Sequence, residues 1–225
     1  MKIRSAKIPP ADRDSRFVWL NPVIGQMAGT AYPALLEALA GRGYTITACP
    51  EAPTEVRQAY LSRLGQSRLR PLIDARCPRV ATLIREDFPH LSARIAPIPP
   101  ILIVCAGILY RRHVAPDPGK ASLTVITPCS ELADYGKALF GDRIRFETWK
   151  AFQRTLGLGR LYPRADASPI PPGFFDYPGV RVLEGSGDGE VRDLLGQAQA
   201  GRLDPGVEIL ELLYCRDGCH NGDGV

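Results

Sequence analysis

The stretch LTVITPCSELADYGKALF, at positions 123–140, decides the fold class of this chain. It opens with a short apolar run at Leu123–Ile126, which predicts a buried strand, and continues from about Glu131 to Phe140 with the apolar spacing of a helix. A strand that leads directly into a helix is typical of βαβ units, in which helices cover a mostly parallel sheet. Cys129 lies at the junction of the two elements.

The same alternation continues along the chain in both directions. Strands are predicted at 44–48, 71–75, 180–183 and 207–214, and helices at 31–40, 53–64, 78–88, 101–112, 146–156 and 190–200. The Gly- and Pro-rich residues 157–179 are interpreted as a long connection, and EGSGDGE at 184–190 as a flexible turn. We therefore predict an α/β fold with an N-terminal tail (1–19) and one domain (20–225). Its two lobes of mostly parallel sheet, about 20–115 and 120–225, are flanked by helices and separated by a crevice.

The composition excludes several classes of protein. With 225 residues, 45% of them hydrophobic and 23% charged, the chain is neither disordered nor fibrous. The net charge of +4 comes without a concentrated basic stripe, so no nucleic-acid partner is expected. The most apolar stretch, 98–110, is shorter than the roughly 20 residues that span a bilayer, and residues 1–20 lack the apolar run of a signal peptide. A cytoplasmic protein without membrane insertion is therefore expected.

Six cysteines are the most informative feature of the composition, because they are too sparse for a disulfide scaffold. Three of them follow predicted strands and a fourth comes four positions after the third: Cys77, Cys129, Cys215 and Cys219. Ligands of open α/β sheets bind in the crevice beyond the carboxyl ends of the strands, so these thiols are expected to converge there. Two of them precede helices, whose N-termini favour thiolate. Four soft thiolates predict a metal site, either an iron–sulfur cluster or zinc.

The spacing of the cysteines favours one of these metals. A structural zinc site usually contains two close cysteine pairs, whereas here a single C-x3-C follows two isolated cysteines. This arrangement favours a cluster housed within the fold and leaves zinc as an alternative. Cys105 lies inside an apolar run and is interpreted as a core residue, and Cys49, at the end of a predicted strand, is interpreted as a second bystander.

At these residues the chain resembles the C-terminal, H-cluster domain of the iron-only (FeFe) hydrogenases and their hydrogenase-like relatives. The resemblance covers roughly residues 20–225 and rests on ARCPRVATLIREDFPHL with IAPIPP (75–100), LTVITPCSELADYG (123–136), FETWKAFQRTLG (146–157), VRVLEGSGDGEVRDLL (180–195) and ELLYCRDGCHNGDG (211–224). In that family the corresponding cysteines hold a cubane 4Fe-4S cluster, and one of the last pair also bridges to the diiron subsite where hydrogen is made or split. The resemblance implies that the cluster ligands here are Cys77, Cys129, Cys215 and Cys219.

The chain also departs from the family pattern at residues that serve the diiron subsite. Arg76 stands where active members carry a proton-relaying cysteine, and a guanidinium does not exchange its proton at working pH. Leu132 replaces a lysine that hydrogen-bonds a cyanide of the diiron subsite, and Tyr135 replaces an acidic residue. A shifted alignment would bring Lys137 or Asp134 into these roles. Two methionines that commonly pack beside the cluster are replaced by Thr127 and Leu213.

Together these features predict an iron–sulfur protein with one 4Fe-4S cluster that serves electron transfer, redox sensing or an accessory role, without hydrogen turnover. Whether the chain is an enzyme stays open. One alternative is a divergent hydrogenase of the ferredoxin type, reducing protons reversibly to H2 at a diiron site, and the other is a zinc-stabilised interaction domain.

Several further features bear on a redox partner and on the reduction potential of the cluster. The Cys-rich ferredoxin-like modules that usually precede this domain are missing, so a separate redox partner protein or subunit is expected. The chain ends six residues after Cys219, which suggests a short family member, a fragment or a subunit. His220 is a candidate hydrogen-bond donor or alternative ligand, and Arg76 and Arg216 either raise the cluster's reduction potential or point to solvent.

Overall fold

The computed structural model describes residues 15–157, 167–170 and 172–225. Strands and helices alternate along these residues, which confirms the predicted α/β fold. The strands are β1 (Ser15–Leu20), β2 (Tyr44–Ile46), β3 (Leu72–Ile73), β4 (Ala121–Thr127), β5 (Arg145–Thr148), β6 (Val182–Ser186) and β7 (Ile209–Leu213). The α-helices are α1 (Pro22–Ala28), α2 (Tyr32–Gly41), α3 (Ala52–Gln66), α4 (Pro78–Asp87), α5 (Ile101–His113), α6 (Ser130–Phe140), α7 (Trp149–Thr155) and α8 (Asp188–Gln199).

Four strands form the first sheet, in the order β2-β1-β4-β5, and all of its pairings are parallel. The central strand β1 has the sequence SRFVWL, and its last three residues are buried because the sheet is covered there. The last five residues of the predicted tail at 1–19 therefore belong to a strand of the core, and the rest of that tail lies outside the described residues.

Three strands form the second sheet, in the order β3-β7-β6, again with parallel pairings. All five residues of β7 are buried, since this strand is central and is covered on both faces. Each sheet combines strands from the first and second halves of the chain, so the boundary between the sheets does not follow the division expected near residues 115–120.

Helix α5 lies between the two sheets. Leu102, Ile103 and Leu109 belong to the hydrophobic cluster that covers β4. Ile101 and Val104 pack against this cluster and also against the cluster that contains Ile209 of β7. Contact with both apolar clusters explains why this stretch is the most apolar in the chain. Among the described residues no helix is long and apolar enough to cross a membrane.

Two predicted elements are wrong. The helix expected at 146–156 begins only at Trp149, because the preceding residues pair with β4 as strand β5. The Thr148 side chain marks this boundary by accepting a hydrogen bond from the Ala151 N–H at 3.3 Å. The flexible turn expected at 184–190 is almost entirely the end of β6 and the start of α8, joined through Gly187 at φ 89°. Of the connection at 157–179, residues 158–166 and 171 lie outside the described residues.

Candidate metal centre

Cys77 and Cys129 stand directly before helices α4 and α6. Both have extended backbone, at φ −97° and ψ 105° for Cys77 and φ −150° and ψ 161° for Cys129. This conformation turns the chain from the end of a strand into the first helical turn, and Pro78 has the φ that the first position of a helix requires. The two thiols are thus presented at the carboxyl ends of β3 and β4, as the sequence predicts.

Cys215 and Cys219 are brought together by a tight turn after β7. Asp217 and Gly218 have left-handed backbone, at φ 60° and φ 114°. A Cβ on Gly218 would lie 2.6 Å from Cβ of Ser168, so only glycine fits this position. The turn reverses the chain and returns Cys219 toward the strand end that carries Cys215.

All four predicted ligands line one cavity of about 90 Å³. This exceeds the ~10–15 Å³ that a single water molecule needs. Most of the remaining wall is apolar, including Val23, Leu102, Leu132 and Ile170. In the described part of the chain no three His, Cys, Asp or Glu side chains are close enough to hold a single metal ion. The four thiols therefore surround the cavity without meeting at one point.

Burial raises the pKa of all four thiols. The pKa of Cys215 rises to about 11 and that of Cys219 to about 12. Those of Cys77 and Cys129 also rise, although backbone N–H groups at the starts of α4 and α6 oppose the effect. The expected stabilisation of thiolate by helix N-termini is therefore present but outweighed by burial. Charge on Cys77 further raises the pKa of the other three.

Arg76 is the one charged side chain among the described residues that line the cavity. It is 8% exposed and donates to Asp74 Oδ2 at 2.8 Å and to Glu211 Oε1 at 2.5 Å. Its guanidinium also lies over the rings of Phe174 and Phe175, at 4.3 and 4.7 Å from their centroids. Burial alone lowers the pKa of a guanidinium, but here the two carboxylates outweigh burial and raise it. Of the two interpretations of Arg76, the structure contradicts the one that points it to solvent.

The carboxylates that bind Arg76 are themselves fully buried and hydrogen-bonded. Asp74 accepts from the Tyr60 hydroxyl at 2.8 Å, and Glu211 accepts from the backbone N–H groups of Phe174 and Phe175 at 3.1 and 3.3 Å. This network was not predicted from the sequence. Glu211, a charged residue within the otherwise apolar strand ILELL, was the feature that could have indicated a buried ion pair.

The residues that depart from the hydrogenase pattern have different environments. Leu132 and Leu213 line the cavity with apolar side chains. Thr127 is buried and donates to the backbone oxygen of Cys129 at 2.8 Å. Tyr135 is 42% exposed and does not line this cavity.

Lys137 and Asp134, the residues that a shifted alignment would use, form an exposed ion pair with each other at 3.0 Å. Neither side chain lines the cavity. The structure therefore offers no support for the shifted alignment.

The two predicted bystanders lie away from the cavity. Cys105, in α5, and Cys49, before α3, are buried in the hydrophobic cluster that covers β4. They interact with each other, and burial raises the pKa of both thiols. The structure places them as core residues.

His220 and Arg216 flank the C-x3-C segment. His220 is 4% exposed, its Nε2 lies 3.1 Å from Asn221 Nδ2, and its Nδ1 has no hydrogen-bond partner among the described residues. It does not line the cavity, so the structure gives it no ligand position there. Arg216 is exposed.

Comparison with known proteins supports the fold. No protein-family model matches the sequence, and neither does any curated protein sequence. Among solved structures, an FeFe-hydrogenase of Chlamydomonas reinhardtii in a glutamate-to-alanine variant matches with a TM-score of 0.66 and 12% identity, over 98% of this chain and 82% of that chain. The apo form of that hydrogenase, in a cysteine-to-histidine variant, gives 0.62 and 13%, over 96% and 80%. An FeFe-hydrogenase described for stepwise H-cluster assembly gives 0.62 and 13%, over 96% and 81%. These values show a hydrogenase-like fold.

The residues around the cavity fit an iron–sulfur cluster in their donor chemistry. Thiolates are the usual protein ligands of such clusters, and the described lining contains four of them and no carboxylate. Cys77, Cys129, Cys215 and Cys219 would hold the group, and a cluster bound there would supply one-electron redox chemistry.

Proposed function

We propose that this chain binds one 4Fe-4S cluster through Cys77, Cys129, Cys215 and Cys219 and serves in electron transfer, redox sensing or an accessory role. The observation that carries the proposal is the convergence of four free cysteines, from the ends of three strands in two sheets, on one cavity. Partly buried thiols with raised pKa are costly to ionise, and a bound metal that displaces their protons removes this cost.

We further propose that the protein does not turn over hydrogen. Arg76 occupies the position of the family's proton-relaying cysteine, and both of its carboxylate partners hold it in the charged form. A guanidinium in two ion pairs neither accepts nor releases a proton at working pH. Leu132, at the position of the family's lysine, places apolar carbon in the cavity wall and offers no hydrogen bond to a diiron subsite. Electrons would be exchanged with a separate redox partner protein.

Anaerobic reconstitution with iron and sulfide, followed by counting of both and by EPR of the reduced protein, tests cluster binding. We expect about four irons per chain, and fewer than about three would contradict the proposal. Cys129→Ser and Cys215→Ser are expected to lower the iron content, and Cys105→Ser, matched in chemistry but away from the cavity, is expected to leave it unchanged.

Two further measurements separate the alternatives. Zinc in place of iron in anaerobically purified protein would favour the zinc-stabilised interaction domain. Infrared bands of bound CO and cyanide after addition of a synthetic diiron cofactor, together with hydrogen evolution, would favour a divergent hydrogenase and contradict the absence of turnover.

A further inference from the structure

The segment Asn-Gly-Asp-Gly at residues 221–224, which we call the latch, comes directly after Cys219 and His220. Its acidic residue binds the start of helix α6. Asp223 Oδ1 accepts from the Ser130 N–H at 2.9 Å, and Oδ2 accepts from the Ser130 hydroxyl at 2.5 Å. Ser130 is the residue after Cys129, so Asp223 ties the chain after one predicted ligand to the chain after another. Partial burial raises the pKa of Asp223, but the hydrogen bonds from Ser130, together with a backbone hydrogen bond and the charge of Lys150, outweigh it and keep the pKa below its ordinary value.

Backbone contacts fasten the latch on both sides of Asp223. The Gly224 N–H donates to Pro128 O at 3.1 Å, and Gly224 O accepts from the Lys150 N–H at 2.9 Å. The Lys150 ammonium donates to Asp223 O at 2.8 Å. Pro128 directly precedes Cys129, and Lys150 lies in the first turn of α7. The latch is therefore bound to the residues on either side of Cys129 and to the neighbouring helix.

The close approach requires glycine. A Cβ on Gly222 would lie 2.3 Å from the Pro128 oxygen, and one on Gly224 would lie 2.9 Å from it. Gly222 has φ −68° and ψ 157°, a conformation that any residue adopts. Glycine is needed at position 222 because the two backbones are in contact, and not because of the backbone conformation.

These contacts join the two sheets at the site. Cys129 follows β4 of the four-stranded sheet, whereas Cys215 and Cys219 follow β7 of the three-stranded sheet. We propose that the latch sets the position of Cys129 relative to Cys215 and Cys219, and that Asp223 is the positioning residue that holds the latch against the start of α6. The inference rests on the proposed function in one respect, that the group so positioned is an iron–sulfur cluster.

A cross-linking experiment on the metal-free, reduced protein tests the positioning directly. The protein is treated with a short bifunctional thiol reagent such as dibromobimane, and the Cys129–Cys219 cross-link is quantified by peptide mass spectrometry. We expect a several-fold lower yield in Asp223→Ala, and also in Gly222→Ala, which keeps the carboxylate but forces the backbones apart. Asp223→Asn, which retains one acceptor oxygen, should give an intermediate yield.

The matched control is Asp142→Asn, which removes the same charge from an exposed aspartate beyond the C-terminal end of α6. Asp142 does not line the cavity. Its cross-linking yield should equal that of the unaltered protein. Equal yields in Asp223→Ala, Gly222→Ala and the control would overturn the proposal.

Reconstituted protein provides the second measurement. Iron release to a chelator should be faster in Asp223→Ala than in Asp142→Asn, because groups that hold metal ligands in place typically contribute about 10- to 100-fold to metal affinity. A lower melting temperature with unchanged cross-linking and iron release would mean a structural role only and would overturn the proposal. If the unaltered chain binds no iron, the proposed function fails, and the cross-linking yields still decide whether the latch positions the cysteines.

Discussion

Replacement of Arg76 by methionine tests whether the cavity wall contains a compensated set of buried charges. Asp74 and Glu211 are fully buried, and Arg76 is the cation that binds both. Removal of one partner from a buried ion pair typically costs about 3–5 kcal/mol, because the remaining charge has lost both water and its counterion. Methionine is flexible enough to keep the contacts with Phe174 and Phe175, so lost packing should contribute little. We therefore expect Arg76→Met to lower the free energy of unfolding by about 3–5 kcal/mol.

Urea unfolding of the metal-free, reduced protein, followed by circular dichroism, measures this change. With a slope of about 2 kcal/mol per M, the midpoint should fall by roughly 1.5–2.5 M. The control is Arg79→Met, because the Arg79 side chain is half exposed and forms an ion pair with Glu131 at 3.2 Å. Exposed pairs contribute about 0–1 kcal/mol, so this variant should unfold near the unaltered protein.

A triple variant separates charge from shape. Neutralising all three groups, as Asp74→Asn, Arg76→Met and Glu211→Gln together, leaves no uncompensated charge and keeps an oxygen acceptor for Tyr60. Glutamine has one oxygen, so it can accept from only one of the Phe174 and Phe175 N–H groups, which bind different oxygens of Glu211. Removal of the uncompensated charges should therefore recover part of the loss. A cost below about 1 kcal/mol for Arg76→Met, or a triple variant no more stable than the single one, would refute the reasoning.

Two further results are expected. Gly136→Ala should destabilise the protein by about 1–3 kcal/mol in urea unfolding, because its Cβ would lie 2.4 Å from the Phe146 ring, whereas Gly189→Ala, with open space around it, should be neutral or stabilising. Burial, helped by Arg112, lowers the pKa of His113 below its ordinary value of 6.5, so NMR titration should find it there. Because the folded pKa is depressed, the neutral form contributes stability above about pH 6.5 that is lost as the pH falls through the folded pKa. His113→Gln should remove this part of the pH dependence of stability. An unchanged pH dependence in the variant would contradict the assignment to His113.

Much of the fold could be predicted from local pattern. The strand and helix at 123–140 and the apolar run that becomes α5 are signalled by the periodicity of consecutive residues. The errors occur where tertiary pairing overrides that pattern. Residues 146–148 share helical spacing with the residues after them, yet they pair with β4. Strand β1 occupies the sheet centre, although the sequence before residue 20 predicts a tail.

The candidate site, like the fold, has one part that the sequence predicts and another that it does not. Placement of cysteines after parallel strands predicts that their thiols lie at the carboxyl ends of a sheet, and all four line one cavity. That this cavity lies where strands of two separate sheets end is decided by the tertiary structure. The direction in which the pKa of each thiol shifts cannot be predicted from the sequence. Helix N-termini lower this pKa and burial raises it, and the extent of burial depends on the whole fold.

The sequence by itself determined the α/β alternation, the positions of Cys77 and Cys129 between a strand and a helix, the position of the C-x3-C pair after the last strand, and the arginine at position 76. Only the tertiary structure decided what surrounds these residues. Arg76 and Glu211 are 135 positions apart, and Asp223 and Ser130 are 93 apart. Such pairs meet because β3 pairs with β7 and because the chain after β7 folds back onto the end of β4. Periodicity reports only on neighbours along the chain, so partners this distant in sequence become known only when the strands are paired.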